Sequence, residues 1–136
     1  MKLVESQFGK TVVVTGGAGF IGSAVVRHLI EHTDWRIGNF DKFTYSACEA
    51  YLESVEEDSR YHFVQGDVAD VDDVQAVFNR FKPDVVMHLA AESHVDRSIE
   101  GPGELVRTNV HGTYVLLQAA VTHWKALEGE SKESFR

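Results

Sequence analysis

Thr11-Val12-Val13-Val14-Thr15-Gly16-Gly17-Ala18-Gly19-Phe20-Ile21-Gly22 decides the fold. The β-branched run from Thr11 to Thr15 has no polar alternation, the pattern of a strand buried on both faces of a parallel sheet. Glycines at 16, 17, 19 and 22 satisfy both G-x-G-x-x-G and G-x-x-G-x-x-G. Each has a physical task. Gly16 or Gly17 admits the backbone angles of a sharp strand-to-helix turn, Gly19 lets the main chain approach a pyrophosphate, and Gly22 lets the first helical turn close on the sheet with its N–H groups aimed at the anion. Ile21, Val25, Val26, Leu29 and Ile30 then form the apolar stripe of a helix over about 20–32. A glycine turn alone proves little, but strand, glycines and amphipathic helix in this order predict a dinucleotide cradle.

The surrounding composition narrows the class. The 136 residues are 43% apolar and 25% charged, enough for one domain with a core. A net charge of −8 argues against nucleic acid or an anionic membrane surface as partner. No apolar run reaches transmembrane length, and Met1 to Gly9 lacks the regions of a signal peptide, so a cytoplasmic protein is expected. The single cysteine, Cys48, has no internal disulfide partner, which fits a reducing compartment. The seven histidines are read as lacking metal spacing, and no metal is expected.

Working outward, residues 1–9 read as a polar lead-in, 10–127 as the dinucleotide-binding domain and 128–136 as a charged, frayed tail. A second strand, Trp35 to Phe40, ends in Asp41, nineteen positions after Gly22. That is where the dinucleotide fingerprint places an acid against the adenosine ribose hydroxyls, so NAD is favoured over NADP, with Lys42 softening the repulsion of a 2′-phosphate. The interval from Ser46 to about Glu57 predicts an amphipathic helix. Tyr61 to Gln65 is a third strand closed by Gly66-Asp67-Val68, with a helix from Val74 to Phe81 behind N-terminal acids. Asp84 to Leu89 is the fourth strand, and the small Ala90 and Ala91 after it leave room for a flat ring. Val95 to Glu100 reads as a short helix or turn.

Beyond Gly101-Pro102-Gly103 one long helix is expected over 104–127, with Val106, Val110, Thr113, Tyr114, Leu117, Val121 and Trp124 as its sheet-facing stripe. Leu105, Leu116 and Trp124 are then left as a second apolar face. Asn109 and Gly112 interrupt the helix and need structural reasons, a bonding partner for one and close packing for the other. The fold class is α/β: a Rossmann-type doubly wound parallel sheet, truncated after the fourth strand and a long helix. In the usual strand order the fourth strand would show an open edge.

The glycine segment, Asp41-Lys42-Phe43-Thr44-Tyr45, Gly66-Asp67-Val68 and above all His88-Leu89-Ala90-Ala91-Glu92-Ser93-His94-Val95-Asp96-Arg97-Ser98 resemble the extended short-chain dehydrogenase/reductases. Within them the block from His88 to Ser98, with Gly101-Pro102 and Thr108-Asn109-Val110, is similar to the nucleotide-sugar 4,6-dehydratases that act on dTDP-glucose. The resemblance covers Lys10 to Arg136 and departs from the family pattern at Ser46-Ala47-Cys48-Glu49.

The resemblance implies NAD as cofactor, with Gly16, Gly19, Phe20, Ile21 and Gly22 around the pyrophosphate and Asp41, Lys42, Phe43 and Thr44 at the adenosine ribose. It implies that Asp67 and Val68 contact adenine, that Leu89, Ala90, Ala91 and Ser93 line the nicotinamide side, that Ser93 also touches the nucleotide-sugar substrate, and that Thr108 approaches NAD from the long helix. It implies oxidation of the sugar at C4, loss of water across C5 and C6, hydride return at C6, and a homodimer through the helix at 104–127. The family's acid and base groups come from a Thr-Asp-Glu run and a Tyr-x-x-x-Lys helix, and neither occurs in these residues. No catalytic residue is assigned; Glu92, His94 and Asp96 read as loop and cap residues. Two alternatives stand beside this reading: the NAD-binding part of a related sugar-nucleotide enzyme such as an epimerase, and a non-catalytic NAD-binding or interaction domain.

Overall fold

The computed structural model describes residues 8–44, 47–93 and 99–136. The reading of Val95 to Glu100 as a short helix or turn therefore falls largely outside the described residues. Strands β1 (Thr11–Thr15), β2 (Arg36–Asp41), β3 (Tyr61–Gln65) and β4 (Val85–His88) form a wholly parallel sheet in the order β3-β2-β1-β4. Val12, Val13 and Val14 are all fully buried at its centre. Their alternation sends Val12 and Val14 to one face, where helix α1 (Phe20–His32) adds Val26, Leu29 and Ile30, and sends Val13 to the other. There helix α2 (Val71–Phe81) supplies Val74, Val77, Phe78 and Phe81, and the long C-terminal helix supplies Val115 and Leu116. A strand buried on both faces thus explains the unalternating Val run.

Helix α2 starts three residues before the expected Val74, because the Asp70 side chain accepts from the Asp72 and Asp73 amides and so caps the helix at Val71. Its end at Lys82 adopts a left-handed conformation (φ 47°). The helix expected from Ser46 to Glu57 is absent from the described residues; only a 3₁₀ turn, Glu49–Tyr51, and further turns occupy the segment. Two bonds divert its backbone: Arg27 Nη1 donates to Tyr51 O at 2.6 Å, and Val55 N bonds Leu52 O, three residues back. Leu52 and Val55, the buried pair of this segment, sit three apart, a spacing that consecutive turns serve.

The long helix differs most from expectation. It begins as α3 (Pro102–Leu105), continues through a π-helical segment (Val106–Gly112) and ends as α4 (Thr113–Ala126). Apart from Thr113, which turns inward to His88, the stripe expected against the sheet is the outer one: Val106, Val110, Tyr114, Leu117, Val121 and Trp124 are all exposed, Val110 to 63%. Leu116, assigned to the outer face, is 4% exposed and packs with Val115, Ala119 and Ala120 in the core. Val106, at the head of the π-helical segment, and the exposed residues beyond it share that outer side, so the stripe runs along one face throughout, while the smaller Ala119 and Ala120 pack inward with Val115 and Leu116. Both interruptions have reasons. Asn109 Oδ1 accepts from Glu92 N at 2.8 Å while its Nδ2 donates to Glu92 O at 3.0 Å. A Cβ at Gly112 would stand 2.8 Å from Val68 Cγ2.

Residues 128–136 also depart from the frayed tail expected. They contain helix α5 (Gly129–Ser134), whose Lys132 O accepts from Trp124 Nε1 at 3.1 Å. Arg136 then lies along β4, with Val86 N bonded to Arg136 O (2.8 Å) and Arg136 N to Asp84 O (3.1 Å). The β4 edge expected to be open is therefore paired over its first residues.

Candidate functional site

The carboxyl ends of all four strands open onto one cleft of about 500 Å³. It brings together every residue singled out for the cofactor except Phe43, and adds Phe40, Gly66 and Glu92. Phe43 turns away: its ring lies edge-on to Phe63 (centroids 5.8 Å apart, 74°) in a second, more open hollow beside β3. The cause is a tight turn in which Phe43 adopts φ 58° and donates its amide to Asp41 Oδ1 at 2.6 Å. His94 and Asp96 lie outside the described residues.

The glycines of the near wall divide into two kinds. Gly16 has φ +71°, and a Cβ there would sit 2.7 Å from the Ala90 backbone; one at Gly22 would sit 2.0 Å from Gly16 O. The fold itself requires both. Gly19 has φ −81°, and a Cβ there would meet only Gly16 O, at 3.4 Å. Nothing within the described protein demands glycine at 19, which leaves the cleft side as the reason for it. Helix α1 starts at this residue with no side-chain cap and no acid in its first turn, so its first amides remain available to an anion. Asp41 ties the same wall together, accepting from Ala18 N on Oδ2 at 2.9 Å.

The far wall is built from side chains. Thr15 Oγ1 accepts from both Leu89 N and Ala90 N, each at 3.1 Å, which uses its two lone pairs. Its proton therefore goes to His88 Nδ1, 2.7 Å away, so the imidazole is neutral with its proton on Nε2. Nε2–H donates to Thr113 Oγ1 at 3.0 Å, and Thr113 donates in turn to Asn109 O at 2.7 Å. Burial also pushes the His88 pKa below its usual value, consistent with the neutral form. This relay joins the ends of β1 and β4 to the π-helical segment and sets the height of Leu89, Ala90 and Ala91 in the cleft.

At the end of the cleft beside β3, Asp67 accepts from Ala69 N on Oδ1 at 2.8 Å. Its Oδ2 receives Arg107 Nη1 at 2.6 Å and lies 3.0 Å from Lys42 Nζ. Burial alone would raise its pKa, but the Ala69 amide, Arg107 and Lys42 together hold the carboxyl below the usual carboxylate range. Sequence reasoning missed Arg107 and the hub role of His88. Arg107 reaches Asp67 across forty residues of sequence, from within the π-helical segment, and a hydrogen-bond hub leaves no periodic trace. It also passed over His28 and His32, which stand four apart on α1, the spacing of a two-histidine metal pair. Their rings stack at 4.3 Å and 21°, and His32 Nδ1 donates to His28 O at 3.0 Å. Among the described residues no group of three His, Cys, Asp or Glu side chains is placed to hold a metal, and no helix is long and apolar enough to cross a membrane.

Comparison with known proteins gives one consistent set of likenesses. The family model described as GDP-mannose 4,6 dehydratase matches residues 13–134. A dTDP-glucose 4,6-dehydratase of Escherichia coli K12 is 52% identical over 125 residues, which span 92% of this chain and 35% of that protein. One from Neisseria gonorrhoeae is 47% identical over 98% of this chain and 38% of its own length. The chain thus spans little more than a third of the curated relatives it matches. Among solved structures, a dTDP-glucose 4,6-dehydratase from Streptomyces venezuelae with NAD bound superposes with a TM-score of 0.77 at 42% identity, covering 83% of this chain and 36% of that one. The UDP-glucose 4-epimerase of Thermus thermophilus in complex with NAD gives 0.73 at 30% identity, covering 83% and 34%.

Proposed function

The chain belongs to the GDP-mannose 4,6 dehydratase family, and we propose that it is the NAD-binding portion of a dTDP-glucose 4,6-dehydratase. The observation that carries the cofactor assignment is Gly19: an uncapped helix start, a glycine the fold does not need and a carboxylate at the tip of β2 face one cleft. The first amides of α1 would take the pyrophosphate. Asp41, whose oxygens each accept one main-chain bond, keeps lone pairs for ribose hydroxyls and repels a 2′-phosphate. Leu89, Ala90 and Ala91 offer a flat wall to the nicotinamide, Thr108 lines the same cleft toward NAD, and Ser93 lines it toward the sugar. NAD, when bound, supplies the acceptor and later the source of the hydride in converting dTDP-glucose to the 4-keto-6-deoxy sugar. The dehydratase reading is favoured over an epimerase by the higher identity of the dehydratases. A cytoplasmic setting suits a chain whose one cysteine is unpaired.

Titration of the purified chain with NADH tests the cofactor assignment. Saturable binding, tighter for NADH than for NADPH, is expected; no binding of either would sink it.

The same family reading includes a homodimer through the long helix, and the exposed stripe from Val106 to Trp124 supports it. Light scattering should give twice the 15.2 kDa chain mass, and Leu117→Glu should halve it. A monomer before mutation removes the proposal.

A further inference from the structure

We infer that Asp67 is a second determinant of cofactor choice, because it draws Lys42 and Arg107 away from the place where a 2′-phosphate on the adenosine ribose would need them. The inference rests on the dinucleotide reading of the cleft. Lys42 directly follows Asp41 at the tip of β2, which makes it the cation nearest in sequence to the carboxylate proposed to meet the ribose. Its Nζ points elsewhere, to Asp67 Oδ2 at 3.0 Å, and Arg107 Nη1 donates to that same oxygen at 2.6 Å.

Asp67 is the anchored member of the trio. Its side chain is 15% exposed against 46% for Lys42 and 41% for Arg107, and Ala69 N fixes its other oxygen. One carboxylate therefore answers two cations. The neighbouring acid, Glu104, lies 4.0 Å from Lys42 Nζ and is 64% exposed, too solvated to replace it. With Asp67 neutral, both side chains would lose the partner they share, on a cleft that Asp41 also lines. A phosphate brought there would meet two donors, one of them a planar guanidinium suited to its geometry.

Asp67→Asn isolates the charge, since the amide oxygen can still accept from Ala69 N. In titrations with NADH and NADPH at low salt, this variant should bind NADPH about tenfold more tightly relative to NADH than the unmutated chain does. The gain should shrink with added salt and vanish in Asp67→Asn/Lys42→Gln. An unchanged ratio in Asp67→Asn, or an equal gain in the double variant, overturns the inference. Lys42→Gln alone gives a test independent of how Asp67→Asn folds. Because Lys42 is already held, it should change NADH and NADPH binding by the same factor, and a selective loss of NADPH would show Lys42 free to meet the phosphate. Failure of the unmutated chain to bind NADH would instead overturn the reading of the cleft.

Discussion

The two walls of the cleft are built on different principles. The near wall is main chain: strand β1, the glycine turn and the uncapped start of α1, with Asp41 tying the turn by accepting from the Ala18 amide. The far wall is held at fixed height by side chains, through Thr15, His88, Thr113 and Asn109, and at its end beside β3 by Asp67 with Lys42 and Arg107. A backbone wall fails by steric intrusion, since there is no rotamer to yield. A side-chain wall fails by losing a proton position or a counter-charge while the fold persists.

The largest effect on stability should come from the near wall. In Gly22→Ala the new Cβ would fall 2.0 Å from Gly16 O and 2.7 Å from Gly16 C. Neither atom can move without displacing the turn, so the variant should lose about 3 kcal/mol or more, or fail to fold. Urea denaturation followed by circular dichroism measures this. A loss under about 1 kcal/mol would mean the turn is softer than its geometry implies.

A smaller effect, set by pH, should come from the far wall. The His88 relay needs a neutral ring, and burial holds the His88 pKa below its usual 6.5. Below that pH the unfolded chain binds a proton that the folded chain refuses. The contribution is therefore present above about 6.5 and is lost as pH falls toward the lower folded value. His62 adds a slope of the same sign, its pKa lowered by burial and by Arg36 and Arg80. In His88→Gln only the His62 part should remain, so the fall in urea midpoint between pH 7 and about 5 should be shallower. Identical slopes in the two proteins would mean that His88 titrates as it does in the unfolded chain and that the relay tolerates its charge.

The two walls also differ in how much of them can be read from sequence. Thr11 to Gly22 declares itself, because each residue answers a local demand: β-branching for the strand, no side chain for the turn, an apolar stripe for α1. The sheet order and Asp41 come from that start by spacing. The far wall depends on contacts between residues distant in sequence, such as Thr15 with His88 and Asp67 with Arg107. The helix that completes it carries its larger apolar residues outward and the smaller Ala119 and Ala120, beside Val115 and Leu116, toward the sheet, so counting apolar residues assigns to the sheet the face that in fact points outward. The tail misleads for a related reason. Its charge suggests solvent, yet Trp124 and Arg136 fasten it through main-chain atoms that composition does not reveal.

The smallest stability effect belongs to the near wall again, and it separates the needs of the fold from those of a ligand. In Gly19→Ala the added methyl would meet Gly16 O alone, at 3.4 Å, and the backbone at φ −81° accepts any L residue. At the N-cap glycine is preferred to alanine although neither supplies a side-chain acceptor, so the change should cost about 1 kcal/mol, well below the loss expected for Gly22→Ala. The methyl would nonetheless stand at the opening of α1, where a pyrophosphate would have to come within hydrogen-bond distance of the first amides. An ångström of displacement there is enough to break N–H bonds to phosphate oxygens, whose useful range ends near ~3.2 Å. NADH affinity should therefore fall at least tenfold while the urea midpoint falls far less than in Gly22→Ala. The contrast with Gly22→Ala is what gives the measurement its value: two glycines three residues apart, one required by the protein and one by its ligand. If Gly19→Ala binds NADH as well as the unmutated chain does, the main chain at 19 does not approach the cofactor, and the near wall is a structural turn only.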